Sequence, residues 1–157
     1  MRRASRVTGR RACSLALGFV VGASLLGACA TVTTAGGCGI APGSVCPGTY
    51  MKGSKLAEAD LYGADLDRAD LRGAELAGAI LTGAQLDHTD LRGADLRHAH
   101  LEDADLGGAD LRGARLDDAW LHGATFTGAR GVSAGALERG IVCRTVLTVG
   151  VVLNDDC

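Results

Sequence analysis

Aromatic residues and prolines are scarce in this chain. Of its 157 residues only five are aromatic and two are proline. The aromatics are Phe19, Tyr50, Tyr62, Trp120 and Phe126. A core built on aromatic rings is therefore excluded, and so is a long proline-rich linker. The 24 glycines and abundant alanine and leucine instead favour many regular corners around an aliphatic core, which is the composition of a repeat protein.

The sequence also lacks the patterns that carry chemistry. It contains no Ser-His-Asp order, no glycine-rich phosphate loop and no CxxC metal motif, and its glycines recur at a fixed spacing that is typical of corners. Its many carboxylates are expected on a convex surface, with no pocket to shift a pKa or exclude water. We therefore predict no enzyme, no catalytic residue, no cofactor and no metal.

The first 28 residues are predicted to be a signal peptide. A basic region with Arg2, Arg3 and Arg6 precedes an apolar run from Ala12 to Ala28, which is short for a membrane span. The run ends in Leu26-Gly27-Ala28-Cys29, which resembles a bacterial lipobox, so Cys29 is the predicted lipidation site and membrane anchor. The alternative is ordinary cleavage near Ala28 or Ala30, with Cys29 unmodified. Either way the sequence predicts export, with the protein on the outer face of the cytoplasmic membrane or secreted.

Export changes how the cysteines and the charge are read. Of the six cysteines, Cys13 is removed with the signal and Cys29 takes the lipid. The four that remain allow two disulfides in three connectivities. Five of the 16 basic residues also precede Cys29, which leaves 11 against 18 acidic ones. This acidic balance argues against nucleic acid or anionic lipid headgroups as electrostatic partners.

From Ser54 to Gly128 the sequence repeats every five residues without a slip. Each pentad has a large apolar centre, and the residue two before it is alanine except at Ser54 and Thr89. The fifteen centres are Leu56, Leu61, Leu66, Leu71, Leu76, Leu81, Leu86, Leu91, Leu96, Leu101, Leu106, Leu111, Leu116, Leu121 and Phe126. A period of five spreads the leucines around an α-helix, so a helix is excluded. In an extended segment, however, the alanine and the leucine point to the same side, so each pentad is predicted to be a short strand with a corner.

The uninterrupted motif Ala-Asp-Leu-x-Gly, as in Ala59 to Gly63, resembles the pentapeptide-repeat family. The resemblance implies an all-β fold, a right-handed quadrilateral β-helix with four pentads per coil. Fifteen pentads then make just under four coils, over residues 54–130. We expect residues 29–53 to form an N-terminal tether and cap, and residues 131–157 a C-terminal cap, because open solenoid ends expose unpaired backbone.

The C-terminal cap is predicted to contain a short helix over Ser133 to Gly140, followed by a β-hairpin between Cys143 and Cys157. Two cysteines lie before the solenoid and two after it, and a disulfide tolerates a Cα separation of only about 7 Å. We therefore predict the pairs Cys38 with Cys46 and Cys143 with Cys157.

With four pentads per coil, residues twenty apart stack, and this spacing defines the outer faces. One face carries Asp70, Asp90 and Asp110 beside Arg72, Arg92 and Arg112, which we interpret as a solvated ion-pair surface. Another is the candidate interaction face: Tyr62, Ile80, His100, Trp120 and His122, with Thr82 and Glu102 between them. The alternative is that its rings are isolated surface residues or are covered by a terminal segment. His98, His100, Glu102 and His122 suggest a metal, but side chains on a flat face diverge, whereas zinc needs three or four converging ligands.

Two functions remain open at this point. The first is a non-enzymatic structural or interaction module of the bacterial cell envelope, which presents a rigid surface to an unknown protein partner. The second follows from the resemblance alone: some family members mimic B-form DNA, bind DNA gyrase and give quinolone resistance. The leader favours the first function, and compartment discriminates the two. The oligomeric state is open.

Overall fold

The structure is a computed structural model, which describes residues 34–132, 143–146 and 152–154. The chain divides into two compact units, Met1–Ala30 and Thr31–Cys157, and all described residues belong to the second. The predicted signal peptide, the lipidation site Cys29 and the predicted helix over Ser133 to Gly140 lie outside the described residues. Within the described part, no helix is long and apolar enough to cross a membrane.

The body of the protein is a coil in which one residue of each pentad pairs with the residue twenty positions later. Fourteen parallel bridges follow this rule, from Val45 with Asp65 to Asp110 with Arg130. In each, the backbone bonds alternate in direction: the Leu61 N–H donates to the Ile80 carbonyl at 2.8 Å, and the Ile80 N–H donates to the Ala59 carbonyl at 2.9 Å. Twenty residues thus complete one circuit, which is the four-pentad coil that the resemblance implies.

A tight turn forms every corner of the coil. The Ala64 N–H donates to the Leu61 carbonyl at 3.0 Å, and Gly63 between them has a φ of 61°. A positive φ at this position is the requirement of a type II turn, and glycine meets it without a Cβ clash. A short strand with a corner was predicted for each pentad; the corner is present, and the strand is reduced to one bridging residue.

Leucine and alanine fill the interior. The centres from Leu61 to Leu111 are at most 1% exposed, and Phe126 is fully buried. Thr89, where alanine is usual, is also fully buried, and its hydroxyl donates to the Leu66 carbonyl at 2.8 Å. The interior is thus mainly aliphatic, and Thr89, the fully buried polar residue among the centres and the positions two before them, has a hydrogen-bond partner.

The coil begins earlier than predicted. Cys46 and Met51 occupy central positions, with exposures of 2% and 1%, and bridging starts at Val45 rather than at residue 54. The prediction followed leucine centres with alanine two residues before them, and these first two pentads have neither: Ser44 precedes Cys46, and Thr49 precedes Met51. The bridged range from Val45 to Arg130 holds slightly more than four turns of twenty residues, so just under four coils was too few.

A two-stranded hairpin and a disulfide precede the coil. Strand β1, Thr34–Ala35, pairs antiparallel with β2, Cys38–Gly39. Cys38 is bonded to Cys46, as predicted, with the Cα atoms 5.9 Å apart. The hairpin is therefore joined covalently to a central position of the first coil.

A second hairpin follows the coil. Strand β3, Cys143–Val146, pairs antiparallel with β4, Val152–Asn154, and the register shifts between Cys143 and Thr145. Thr145 is fully buried, and its hydroxyl donates to the Leu121 carbonyl at 2.7 Å. This contact joins β3 to the last complete coil. The predicted partner of Cys143, Cys157, lies outside the described residues.

Candidate interaction face

One side of the coil, here called the tryptophan face, carries the predicted interaction residues. Its bridged column is Asp60, Ile80, His100 and Trp120, and the column two residues along the chain is Tyr62, Thr82, Glu102 and His122. The twenty-residue coil brings these residues onto one side because consecutive members of a column lie in consecutive coils, about 4.8 Å apart.

The centre of the tryptophan face is a chain of four contacting side chains. The His100 and Trp120 rings stack, with centroids 5.8 Å apart and an interplanar angle of 13°. His100 Nδ1 lies 3.2 Å from Glu102 Oε1, and the Thr82 hydroxyl donates to Glu102 Oε2 at 2.9 Å. Burial raises the pKa of Glu102, but hydrogen bonds from its own backbone, His100 and Thr82 outweigh burial, and its pKa is lowered overall. The carboxylate thus fixes the His100 ring beneath the indole.

The remaining predicted residues stand on the same side with open surfaces. Tyr62 is 58% exposed, Trp120 43% and Ile80 38%, and His122 is also exposed. No segment that the structure describes covers Trp120. The face therefore presents two aromatic rings and an aliphatic side chain to solvent on a polar background.

The histidines of this region make separate contacts. His98 lies round the corner from the tryptophan face, with Nδ1 3.9 Å from Asp118 Oδ2, while His100 contacts Glu102. Among the described residues, no group of three or more histidine, cysteine, aspartate or glutamate side chains is placed to hold a metal ion.

The opposite side is the aspartate–arginine face, with Asp70, Asp90 and Asp110 in one column and Arg72, Arg92 and Arg112 beside them. Each arginine binds the aspartate two residues before it with two hydrogen bonds, Nε to Oδ1 at 2.7–2.8 Å and Nη2 to Oδ2 at 2.5–2.6 Å. Weaker pairs cross between coils, with Arg72 Nε 3.6 Å from Asp90 Oδ2.

These pairs perturb the carboxylates. The hydrogen bonds from arginine lower the pKa of Asp70, Asp90 and Asp110, in the last case to about 2. On the adjacent side Arg97 makes the same bidentate pair of hydrogen bonds to Asp95, and these lower the pKa of Asp95 to about 2. This pair was not predicted from the sequence, although its Asp-x-Arg spacing is that of the predicted pairs.

An acidic face, which was not predicted from the sequence, adjoins the tryptophan face. Its carboxylates are Asp65, Asp67, Asp87 and Asp105. Backbone groups donate hydrogen bonds to three of them: the Asp67 N–H donates to Asp65, the Asp87 N–H to Asp67 and the Gly107 N–H to Asp105, at 2.9–3.2 Å. Such bonds leave the negative charge in place. The signal was available in the same twenty-residue spacing, read at these four positions.

The pentapeptide repeats family model matches eight copies over residues 43–73, 54–93 and 89–128. The chain is a pentapeptide-repeat protein. Members of this family form right-handed quadrilateral β-helices, so the resemblance stated from the motif is confirmed, and the match from residue 43 agrees with the early start of the coil. A search of curated protein sequences gives no significant match.

Solved pentapeptide-repeat structures are similar to this chain. Full-length QnrB1, a plasmid-mediated fluoroquinolone resistance protein, matches with a TM-score of 0.57 and 19% identity over 66% of this chain, which spans 56% of QnrB1. A pentapeptide-repeat protein of the Arabidopsis thaliana thylakoid lumen is 28% identical over 68% of this chain and 82% of its own, with a TM-score of 0.33. At these identities the likeness to QnrB1 shows the shared fold.

Proposed function

We propose that this pentapeptide-repeat protein is a non-enzymatic interaction module displayed on the bacterial cell envelope. The observation that carries the proposal is the tryptophan face, where Trp120 stacks on a fixed His100 and remains open to solvent. A rigid scaffold that presents an exposed aromatic anchor is suited to binding a protein partner, because such rings supply much of the energy of protein interfaces. Family members are in general structural or interaction modules, which agrees with this role.

Two features support export. The N-terminal sequence has the order of a signal peptide, with arginines before an apolar run that ends at Ala28 and Cys29. Cys38 and Cys46 form a disulfide, and disulfides persist in oxidising compartments outside the cytoplasm. In this proposal acylation of Cys29 tethers the coil to the membrane surface.

We also infer that residues 131–157 cover the C-terminal end of the coil. The support is Thr145, whose buried hydroxyl donates to the Leu121 carbonyl from strand β3. A cover is needed there because the last coil otherwise exposes leucine side chains and backbone groups. The tethered end and the covered end then lie at opposite ends of the coil.

The decisive measurement is the mass and membrane partition of the protein from its native host, with Cys29→Ser as the control. We expect the mass of the natural protein to include acyl chains and that of the variant to lack them. In both proteins Cys38 and Cys46 should resist thiol-labelling reagents, because they form a disulfide. A soluble cytosolic chain with free thiols contradicts the proposal.

The second candidate function is binding to DNA gyrase, and the acidic face is the observation that favours it. QnrB1 is a fluoroquinolone resistance protein of the same fold, but the likeness concerns the fold alone. We expect the purified chain not to alter gyrase supercoiling or its inhibition by a fluoroquinolone. Protection of gyrase by the chain, together with a cytosolic location, makes this second function the correct one.

A further inference from the structure

The charges of the coil are segregated by face. Between Val45 and Arg130, every lysine and arginine lies on the aspartate–arginine face or on the next side round, except Arg68 at a corner of the acidic face. On those two sides, arginines pair with Asp70, Asp90, Asp95 and Asp110. Positive and negative charge therefore balance locally there.

The tryptophan and acidic faces have no such balance. Between Val45 and Arg130 their flat sides carry no lysine or arginine, and Arg68 stands at the corner of the acidic face away from the tryptophan face, yet together with their shared corner the two faces hold seven carboxylates. These are Asp60, Asp65, Asp67, Asp87, Glu102, Asp103 and Asp105. The groups that contact them are backbone N–H groups, the Thr82 hydroxyl and two imidazoles, and none of these is a lysine or arginine.

The two faces form one continuous surface. Their shared corner consists of Gly63, Gly83, Asp103 and Gly123, so three of its four positions have no side chain to separate the faces. The surface joins the exposed rings of Tyr62 and Trp120 to the carboxylates of the adjoining acidic face. Aromatic rings attract guanidinium and ammonium groups through their faces, and carboxylates attract them by charge.

We propose that the tryptophan and acidic faces together dock a lysine- or arginine-bearing segment of a partner protein. This deepens the interaction role proposed above and rests on it. The occupant follows from charge complementarity: an anionic partner is repelled by seven carboxylates, and a wholly apolar one leaves them without a counter-charge. The rings then contact the cationic side chains while the carboxylates pair with them.

The test uses the full chain and a fluorescein-labelled octapeptide of alternating arginine and glycine, with a glutamine-for-arginine peptide as the matched probe. Trp120 is the sole tryptophan of the protein, so its emission reports contact on the tryptophan face itself. We expect the arginine peptide to raise the anisotropy signal and change Trp120 emission at 0.15 M salt, and the glutamine peptide to do neither.

Two triple variants test which face binds. Asp65→Asn, Asp87→Asn and Asp105→Asn together remove three of the four negative charges of the acidic face and leave Asp67, while each asparagine keeps its side-chain oxygen as a hydrogen-bond acceptor. Asp70→Asn, Asp90→Asn and Asp110→Asn change the net charge equally on the aspartate–arginine face. The first triple variant is expected to weaken peptide binding about tenfold or more, the sum of three modest charge contacts, and the second much less, since charges beyond about 8 Å are screened at this salt.

The results separate this proposal from the proposed function. The folding of both triple variants is checked by circular dichroism and Trp120 emission. If the two variants lose peptide affinity equally, net charge and not one face attracts the peptide, and the docking surface is overturned. Equal binding of the two peptides, or none, overturns the cationic occupant. If the protein is nonetheless acylated and membrane-bound, the envelope function stands, whereas a cytosolic chain with free thiols removes that function whatever the peptide does.

Discussion

At the scale of single residues, the corners of the coil depend on a left-handed backbone. Gly83 has a φ of 66°, and a Cβ added there meets no atom within 4 Å, so strain in the backbone is the sole penalty of a side chain. We predict that Gly83→Ala lowers the free energy of unfolding by about 1 kcal/mol. Gly36→Ala is expected to cost more, because its Cβ collides with the Tyr50 carbonyl oxygen.

Chemical denaturation of both variants measures these differences, and Arg68→Gly is the converse control. Arg68 already holds a φ of 58°, which glycine adopts without strain, so Arg68→Gly should not lower the free energy of unfolding as Gly83→Ala does. An unchanged stability for Gly83→Ala shows that the corner adapts to a side chain, which contradicts the argument.

The buried Thr89 hydroxyl provides a second residue-scale prediction. Thr89→Val keeps the shape but removes the hydrogen bond to the Leu66 carbonyl, which still accepts the Ala69 N–H at 3.0 Å. Because no acceptor is left unpaired, the expected loss is small, about 1 kcal/mol, by thermal or chemical denaturation. Thr145→Val removes the corresponding hydrogen bond to the Leu121 carbonyl, and it should lower the free energy of unfolding by a similar amount if β3 covers the coil. An unchanged stability for Thr145→Val would contradict the proposed cover.

The residues that followed one rule could be predicted from the sequence, and those that broke it could not. A leucine every five residues identified the interior correctly from Leu56 to Leu121. Cys46 and Met51 occupy the same central positions but are neither leucine nor preceded by alanine, so the pattern did not reach them. Thr145 contacts Leu121 across 24 residues through a hairpin, and no local periodicity encodes such a contact.

At the scale of elements, the aspartate–arginine face makes a pH-dependent contribution to stability. Its aspartates have pKa values below the ordinary 3.8, to about 2 at Asp110, because arginine binds their ionised form. A lowered pKa in the folded state stabilises the fold above the unfolded value, and this contribution is lost as pH falls from about 4 to about 2.

We therefore predict that wild-type protein loses more stability between pH 5 and pH 2 than a variant with Arg72→Gln, Arg92→Gln and Arg112→Gln. The contribution of each pair at pH 7 is small because the arginines are well exposed, and 1 M salt should reduce the difference. Melting temperatures across this pH range measure the effect. Parallel pH profiles for the two proteins would show that the bidentate pairs do not stabilise the fold in solution.

The Cys38–Cys46 disulfide governs the N-terminal element. It closes a loop with a sequence separation of 8, for which chain entropy predicts a stabilisation of roughly 2–3 kcal/mol. Cys38→Ser should lower the melting temperature by an amount that corresponds to this loss of stability. Addition of a reductant should lower the melting temperature of the wild-type protein more than that of the variant. The pair was predictable because both cysteines precede the leucine repeat, whereas the role of Cys46 as a coil centre emerged from its burial.

The faces illustrate what spacing can and cannot reveal. Twenty-residue stacking placed Ile80, His100 and Trp120 in one column correctly, because backbone pairing alone decides the columns. The ring stack and the Thr82–Glu102–His100 contacts depend on side-chain rotamers, which a spacing does not contain. The charge segregation was present in the sequence but emerges only when all four faces are compared.

At the scale of the whole molecule, stability should be a sum over coils, since each coil contacts only its neighbours. Deletion of residues 66–85 removes one complete circuit and joins Asp65 to Leu86, so every remaining inward leucine stays inward and the His100–Trp120 stack is retained. We predict a folded protein with lower stability and with the denaturant dependence of unfolding reduced by about a quarter, in proportion to the surface removed.

Deletion of residues 66–83 is the matched control, because it removes nearly as much chain but shifts the five-residue register by two. This control should show no cooperative unfolding, and its Trp120 emission should resemble that of the unfolded chain. A well-folded control would mean that the five-residue register does not determine the coil.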